Sequence, residues 1–247
     1  MTREELISKA KYIQFPYINE TYADYNSREV WKVPLEYNYN PLYFKSVNDK
    51  HHYTTKYHID NVLPLLESIY KFGYKKSDFN IVKHIVKEGD YSYMVPKKEI
   101  KFDLYQYDLK DGANIKRNID FDDLHGPQLN SNSMAHRYWG LYIYAHNCSR
   151  IINKSLPLAG RRLFISGDSQ IVPDIPVLAY YFREVWYFDN RTGYINGPKD
   201  KKGNYNIIWD ENKHIRCEKF YKEKNFTDVL IQLYKSGLER YEKWNLY

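Results

Sequence analysis

Apolar positions along the chain follow two periods, and residues 161–189 carry them most clearly. Arg161-Arg162 leads into a short apolar run, Leu163-Phe164-Ile165, which ends in a tight Gly167-Asp168-Ser169 turn. Asp174 is placed to cap a helix and Pro176 falls in its first turn. Ile175, Leu178, Ala179 and Phe182 then recur at helical spacing, a core-facing stripe. Glu184-Val185-Trp186-Tyr187-Phe188-Asp189 is apolar on both faces, as a buried parallel strand is. The pattern predicts one βαβ unit with Ser169 at its first turn.

Elsewhere the pattern is weaker. Residues 2–13 read as an amphipathic helix opened by a Thr2/Glu5 capping box. Residues 14–50 read as irregular. A helix is expected from Thr54 or Thr55 to about Phe72, with Val62, Leu63, Leu66, Ile69 and Tyr70 inward and Pro64 as a kink or a first turn. Asp78 reads as the cap of a second helix that buries Ile81, Val82, Ile85 and Val86 and stops before Gly89. Residues 91–121 read as hairpin strands turning at Asp111-Gly112, a small insertion in a single domain spanning 1–247. A polar loop is expected over 122–134 and a helix over 135–153. Residues 191–204 read as a glycine-rich loop and Asn206–Trp209 as a short strand. Thr227 reads as the cap of a last helix with Val229, Leu230, Leu233 and Leu238 inward.

With 43% hydrophobic residues in 247, the chain can bury a core. Its net charge of +6 comes from interspersed lysines and acids, a solvated surface rather than a nucleic-acid stripe. No glycine-rich phosphate loop follows a strand, so nucleotide binding is not expected. Cys148 and Cys217 give neither a disulfide framework nor a metal motif. Asp122-Asp123-Leu124-His125 with His136 matches no metal-ligand spacing, so neither a metal nor a cofactor is expected. No apolar stretch reaches membrane-spanning length and Met1–Leu6 does not read as a signal peptide, which points to a cytoplasmic protein. Tyrosine is abundant, 27 of 247. Codon bias explains that, and so does a carbohydrate-binding surface to which Trp139, Trp186 and Trp209 could add stacking faces.

A serine just past a buried strand stands at the rim of a sheet, where backbone N–H groups can stabilise an oxyanion. It needs a histidine to take its proton and an acid to orient that histidine. His51, His52, His58, His125, His136 and His214 are the candidates. Asp210 lies near His214 if acid and base both follow the serine. Lys56-Tyr57-His58 offers a base without its acid. Arg191, leaving the strand beside the serine, could contact an anionic group.

Gly167-Asp168-Ser169, then Pro173, Pro176-Val177-Leu178-Ala179, Phe182-Arg183-Glu184-Val185 and Asp189-Asn190-Arg191, resembles the SGNH-hydrolase-like superfamily in its alginate O-acetyltransferase-like branch. That branch carries an upstream Asp-His-His-Trp motif, and Asn48-Asp49-Lys50-His51-His52-Tyr53 resembles it here. Lys50 stands where the motif puts its acid, Asp49 restores one by a single-residue shift, Tyr53 replaces the Trp, and Gln170 replaces a bulky residue. The resemblance implies a three-layer SGNH/flavodoxin-like α/β sandwich with a mostly parallel central sheet flanked by helices. It further implies Ser169 as nucleophile, His52 as base and Asp49 as its acid, with His51, His58 and His214 as alternative bases. Ser169 and Gln170 would lie at the oxyanion site and Arg191 at the substrate. The implied activity is transfer or removal of an O-acetyl group on a carbohydrate from surface-polysaccharide biosynthesis, with an acyl donor as co-substrate. A catalytically silent relative that binds a saccharide or a biosynthetic partner is the alternative.

Overall fold

The computed structural model describes residues 1–15, 29–34, 53–87, 101–109, 119–123, 148–153, 160–167, 170–189, 194–199, 201, 205–209 and 224–233. In chain order these form α1 (Arg3–Lys9), β1 (Ala10–Gln14), β2 (Val30–Lys32), α2 (Thr55–Tyr57), a π-helical turn (His58–Val62), α3 (Leu63–Tyr70), β3 (Phe79–Lys87), β4 (Lys101–Leu109), β5 (Ile119–Asp123) and β6 (Cys148–Asn153). Then follow β7 (Arg162–Gly167), a 3-10 turn (Val172–Asp174), α4 (Ile175–Tyr181), β8 (Glu184–Asp189), β9 (Tyr194–Lys199), β10 (Tyr205–Trp209) and β11 (Asp228–Leu233).

Seven strands make the central sheet, in the order β2-β1-β11-β7-β8-β6-β5. The run from β2 to β8 is parallel throughout, and β6 and β5 add an antiparallel edge. Side chains alternate between two buried faces. Ile13, Leu163, Ile165, Val185, Tyr187 and Leu230 pack with Tyr57, Leu63, Leu66, Leu178 and Phe182 from the helices on one side. Tyr12, Phe164, Trp186, Phe188, Val229 and Ile231 pack with Leu6 of α1 and with Phe226 on the other. This is the expected three-layer, mostly parallel α/β sandwich, and the predicted βαβ unit is β7-α4-β8. Among the described residues no helix is long and apolar enough to cross a membrane.

Several expected elements differ. The first helix has its capping box, with Thr2 and Glu5 bonded in both directions, but it stops at Lys9 because Ala10–Gln14 pairs with β2 and β11. The expected helix after Asp78 is strand β3, paired residue for residue with β4, and Val82 is exposed rather than buried. Its Ile-Val doublets are β-branched, which favours a strand. Within the stretch read as hairpin strands, 91–121, the described strands are β4, paired with β3, and β5, paired with β6. Asp111 and Gly112 lie outside the described residues. The end of the expected 135–153 helix is strand β6, and part of the expected 191–204 loop is strand β9, paired with β10.

The largest correction concerns Thr227. It caps no helix, because residues 228–233 are β11, a strand between β1 and β7. Its Oγ1 instead accepts the Arg162 N–H at 2.9 Å. Beside it the Arg161 guanidinium donates to both oxygens of Asp228, at 3.0 and 2.5 Å, and to the Tyr70 carbonyl at 3.0 Å. The Tyr70 hydroxyl donates to the Val229 carbonyl at 2.7 Å. One arginine thus aligns the starts of β7 and β11 with the end of α3.

Candidate functional site

Ligands of open parallel sheets bind outside the carboxyl ends of the strands. Here β7 ends at Gly167 and β1 runs out through Phe15, so Gly167 stands at that edge. Gly167 has no room for a side chain. A Cβ there would sit 2.7 Å from Ile171 Cγ2 and 2.8 Å from Gln232 Oε1. Ile171 is fully buried, so the chain folds back over the end of β7 immediately after Ser169.

Asp174 occupies the predicted cap position before α4, with Pro176 in the first turn. Its backbone is helical (φ −83°, ψ −25°) and its side chain makes no cap hydrogen bond. The carboxylate turns instead to a histidine: Asp174 Oδ2 lies 2.8 Å from His58 Nδ1. Both side chains are buried, at 0% and 1% exposure. His58 opens the π-helical turn, with its carbonyl taking the Leu63 N–H and its own N–H donating to the Thr54 carbonyl at 3.3 Å. The Phe15 ring lies 5.8 Å from the imidazole and Tyr57 meets it edge-on at 6.3 Å. Neither His58 Nε2 nor Asp174 Oδ1 has a hydrogen-bond partner among the described residues.

The sequence offered His58 as a base that lacked an acid. The carboxylate that meets its imidazole is Asp174, 116 residues away. No local pattern signals such a pair. The available hint was a polar residue, His58, next to an otherwise inward-facing stretch of helix.

Burial pushes the Asp174 carboxyl above its usual range, and the neighbouring imidazole offsets only part of that rise. A carboxyl whose folded pKa is raised contributes stability at low pH and loses it as pH climbs through the folded pKa. Asp174→Asn, neutral at every pH and nearly isosteric, is therefore expected to gain in thermal stability relative to wild type as pH rises from about 4 to about 7. Melting temperatures of both proteins across that range check this; a constant difference would contradict it.

Tyr53, which stands at the motif's Trp position, is buried. Its ring stacks on Tyr57 at 4.0 Å and 15° and lies 6.3 Å from Phe15. Thr54 Oγ1 accepts the Tyr57 N–H at 3.4 Å, which settles Thr54 as the residue that opens this helix. The Tyr57 hydroxyl donates to the Pro34 carbonyl. The segment leaving His52 is thus anchored beside the end of β1. Asp49, Lys50, His51, His52, Ser169, Arg191 and His214 themselves lie outside the described residues, as do His125 and His136. Gln170 is described and is 5% exposed. Trp186, expected as a possible sugar-stacking face, is in the core, with Nε1 donating to Glu184 at 2.9 Å and its ring against Phe226. Trp139 lies outside the described residues.

What the described site brings together is the pair of segments that flank the two motifs. Asp174 lies five residues past Ser169, and His58 six residues past His52. One buried hydrogen bond joins them.

No family model matches the chain, and no curated protein matches it by sequence. Solved structures do resemble it. Bacillus cereus PatB1 with a sulfonyl adduct aligns with a TM-score of 0.58 at 16% identity, covering 96% of this chain and 85% of that one. Another structure of PatB1 gives 0.53 at 17% identity, covering 96% and 86%. A DHHW family protein from Eubacterium siraeum gives 0.49 at 15% identity, covering 93% and 79%. The chain shares with PatB1 its fold, a mostly parallel sheet between helical layers.

Proposed function

We propose that the chain is a serine acyl-ester enzyme that transfers or removes an O-acetyl group on a carbohydrate. The observation that carries this reading is the buried His58–Asp174 hydrogen bond at the carboxyl edge of the sheet. It joins the segment after the Gly-Asp-Ser turn to the segment after the Asp49–His52 motif, which also share one hydrophobic core. The fold shared with PatB1, one structure of which holds a sulfonyl adduct, is in keeping with an activated nucleophile.

In this reading Ser169 Oγ attacks the acyl carbonyl while His52 takes its proton and Asp49 holds the imidazole in the right tautomer. The backbone N–H of Ser169 stabilises the oxyanion, with Gln170 beside it, and Arg191 faces the substrate. The tetrahedral adduct collapses, the donor's leaving group takes the proton from His52, and acyl-Ser169 remains. A sugar hydroxyl, or water, gives its proton to His52 and attacks the ester, and the second adduct collapses as His52 returns that proton to the departing Ser169 Oγ. The two outcomes differ only in which acceptor is bound.

The test is intact-mass spectrometry after exposure to a fluorophosphonate, followed by peptide mapping. One adduct per chain, on the peptide holding Ser169, is expected. A folded protein that takes no adduct would sink the reading. It would favour instead a silent relative that binds a saccharide, for which Lys50 at the motif's acid position already argues.

A further inference from the structure

We infer that His58 and Asp174 form a positioning latch, which holds the turn bearing Ser169 in register with the segment bearing His52. Its catalytic consequence rests on the reading above; the latch itself does not.

Three local departures converge on this one hydrogen bond. Asp174 sits where a carboxylate would cap α4, and it makes no cap bond. The helix carrying His58 takes a π turn over His58–Val62 in place of regular α geometry. Such single turns shift the residues that follow around the helix and concentrate at functional sites. A carboxylate and an imidazole are also fully buried, although an apolar pair of similar volume would fill the space with no desolvation penalty. The π turn's own acid, Asp60, bonds Lys56 and Lys76, so Asp174 is the carboxylate that serves His58.

The pair stands between two elements that are packed by other contacts as well. On one side Pro173 and the 3-10 turn lead straight into α4. On the other, Tyr53, Tyr57 and Phe15 fix the start of the helix by ring contacts. Small displacements between two reacting groups cost rate steeply, about 100-fold for about 1 Å. A hydrogen bond between the two carriers of those groups is therefore enough to set the reactivity of Ser169 without touching the substrate.

The test uses Asp174→Ala, Asp174→Asn and His58→Asn, read by fluorophosphonate labelling rate against pH and by amide hydrogen exchange. Asp174→Ala is expected to slow labelling by roughly 10- to 100-fold with the pH inflection unmoved. Asp174→Asn keeps an acceptor for Nδ1 and is expected to stay within about 3-fold of wild type, since only the geometry of the bond is needed. In exchange, residues 170–174 and 53–58 are expected to lose protection together in Asp174→Ala, while β8 and α3 keep theirs. If His58→Asn does not fold, the two Asp174 variants decide alone.

Labelling and exchange unchanged in Asp174→Ala would overturn the latch. So would a collapse of labelling in Asp174→Asn together with a lost inflection in His58→Asn, because His58 would then be the base itself. If the wild type takes no label, the acyl-ester reading fails, and the exchange result still decides the latch.

Discussion

Ser169→Ala is expected to abolish the fluorophosphonate adduct and to lower aryl-acetate turnover by roughly 10,000-fold or more. A nucleophile that forms a covalent intermediate has no substitute: in the proposed mechanism, with Oγ gone, His52 has no proton to take and the acyl group nowhere to rest. What remains is the oxyanion site and binding, which accelerate attack by water weakly. The same variant is expected to melt within about 2 °C of wild type, because deletion of one hydroxyl leaves both packed layers of the sheet intact. Retained turnover in a folded Ser169→Ala protein would remove serine chemistry from this chain altogether.

Gly167→Ala is expected to be the most damaging single methyl added to the site, lowering stability by about 1–3 kcal/mol and slowing Ser169 labelling about 100-fold. The cause is close approach rather than backbone conformation, since Gly167 is an ordinary strand residue at the end of β7. Of the two atoms in its way, Gln232 Oε1 ends a flexible side chain and can swing aside. Ile171 Cγ2, at 2.7 Å, belongs to a β-branched residue sealed in the core. The strain is relieved only by moving the backbone at 170–171, one residue from Ser169. Chemical denaturation and labelling rate read the two effects separately. A variant as stable and as reactive as wild type would show that the turn yields freely, and the account of Gly167 would be wrong.

The parts of the fold legible in the sequence were those where two signals agreed. In 161–189 the apolar run, the turn residues and the helical stripe all pointed one way, and β7-α4-β8 formed as read. Thr227–Leu233 misled because Val229, Leu230 and Leu233 happen to match a helical stripe. Yet β11 is buried on both faces, and such strands are continuous apolar runs that periodicity cannot tell from helix. Ile81-Val82 and Ile85-Val86 misled in the same way, although their branched side chains argued for the strand they form. The site was legible as two motifs and not as an arrangement. Asp174 satisfied a local rule so well, an acid just before Ile175-Pro176, that its distant partner left no trace. His58 could be named as a base while the acid that engages it lay beyond any window of local reading.

β11 has one more consequence, for the chain as it is made. Its neighbours are β1, at residues 10–14, and β7, at 162–167. Both emerge from the ribosome well before residues 228–233, and until those arrive each has a side of backbone donors and acceptors with nothing of this sheet to pair. Unpaired edges recruit other chains, and contacts this distant in sequence form slowly. Synthesis halted anywhere before residue 228 therefore yields not a smaller protein but a split sheet, a substrate for chaperones and proteases.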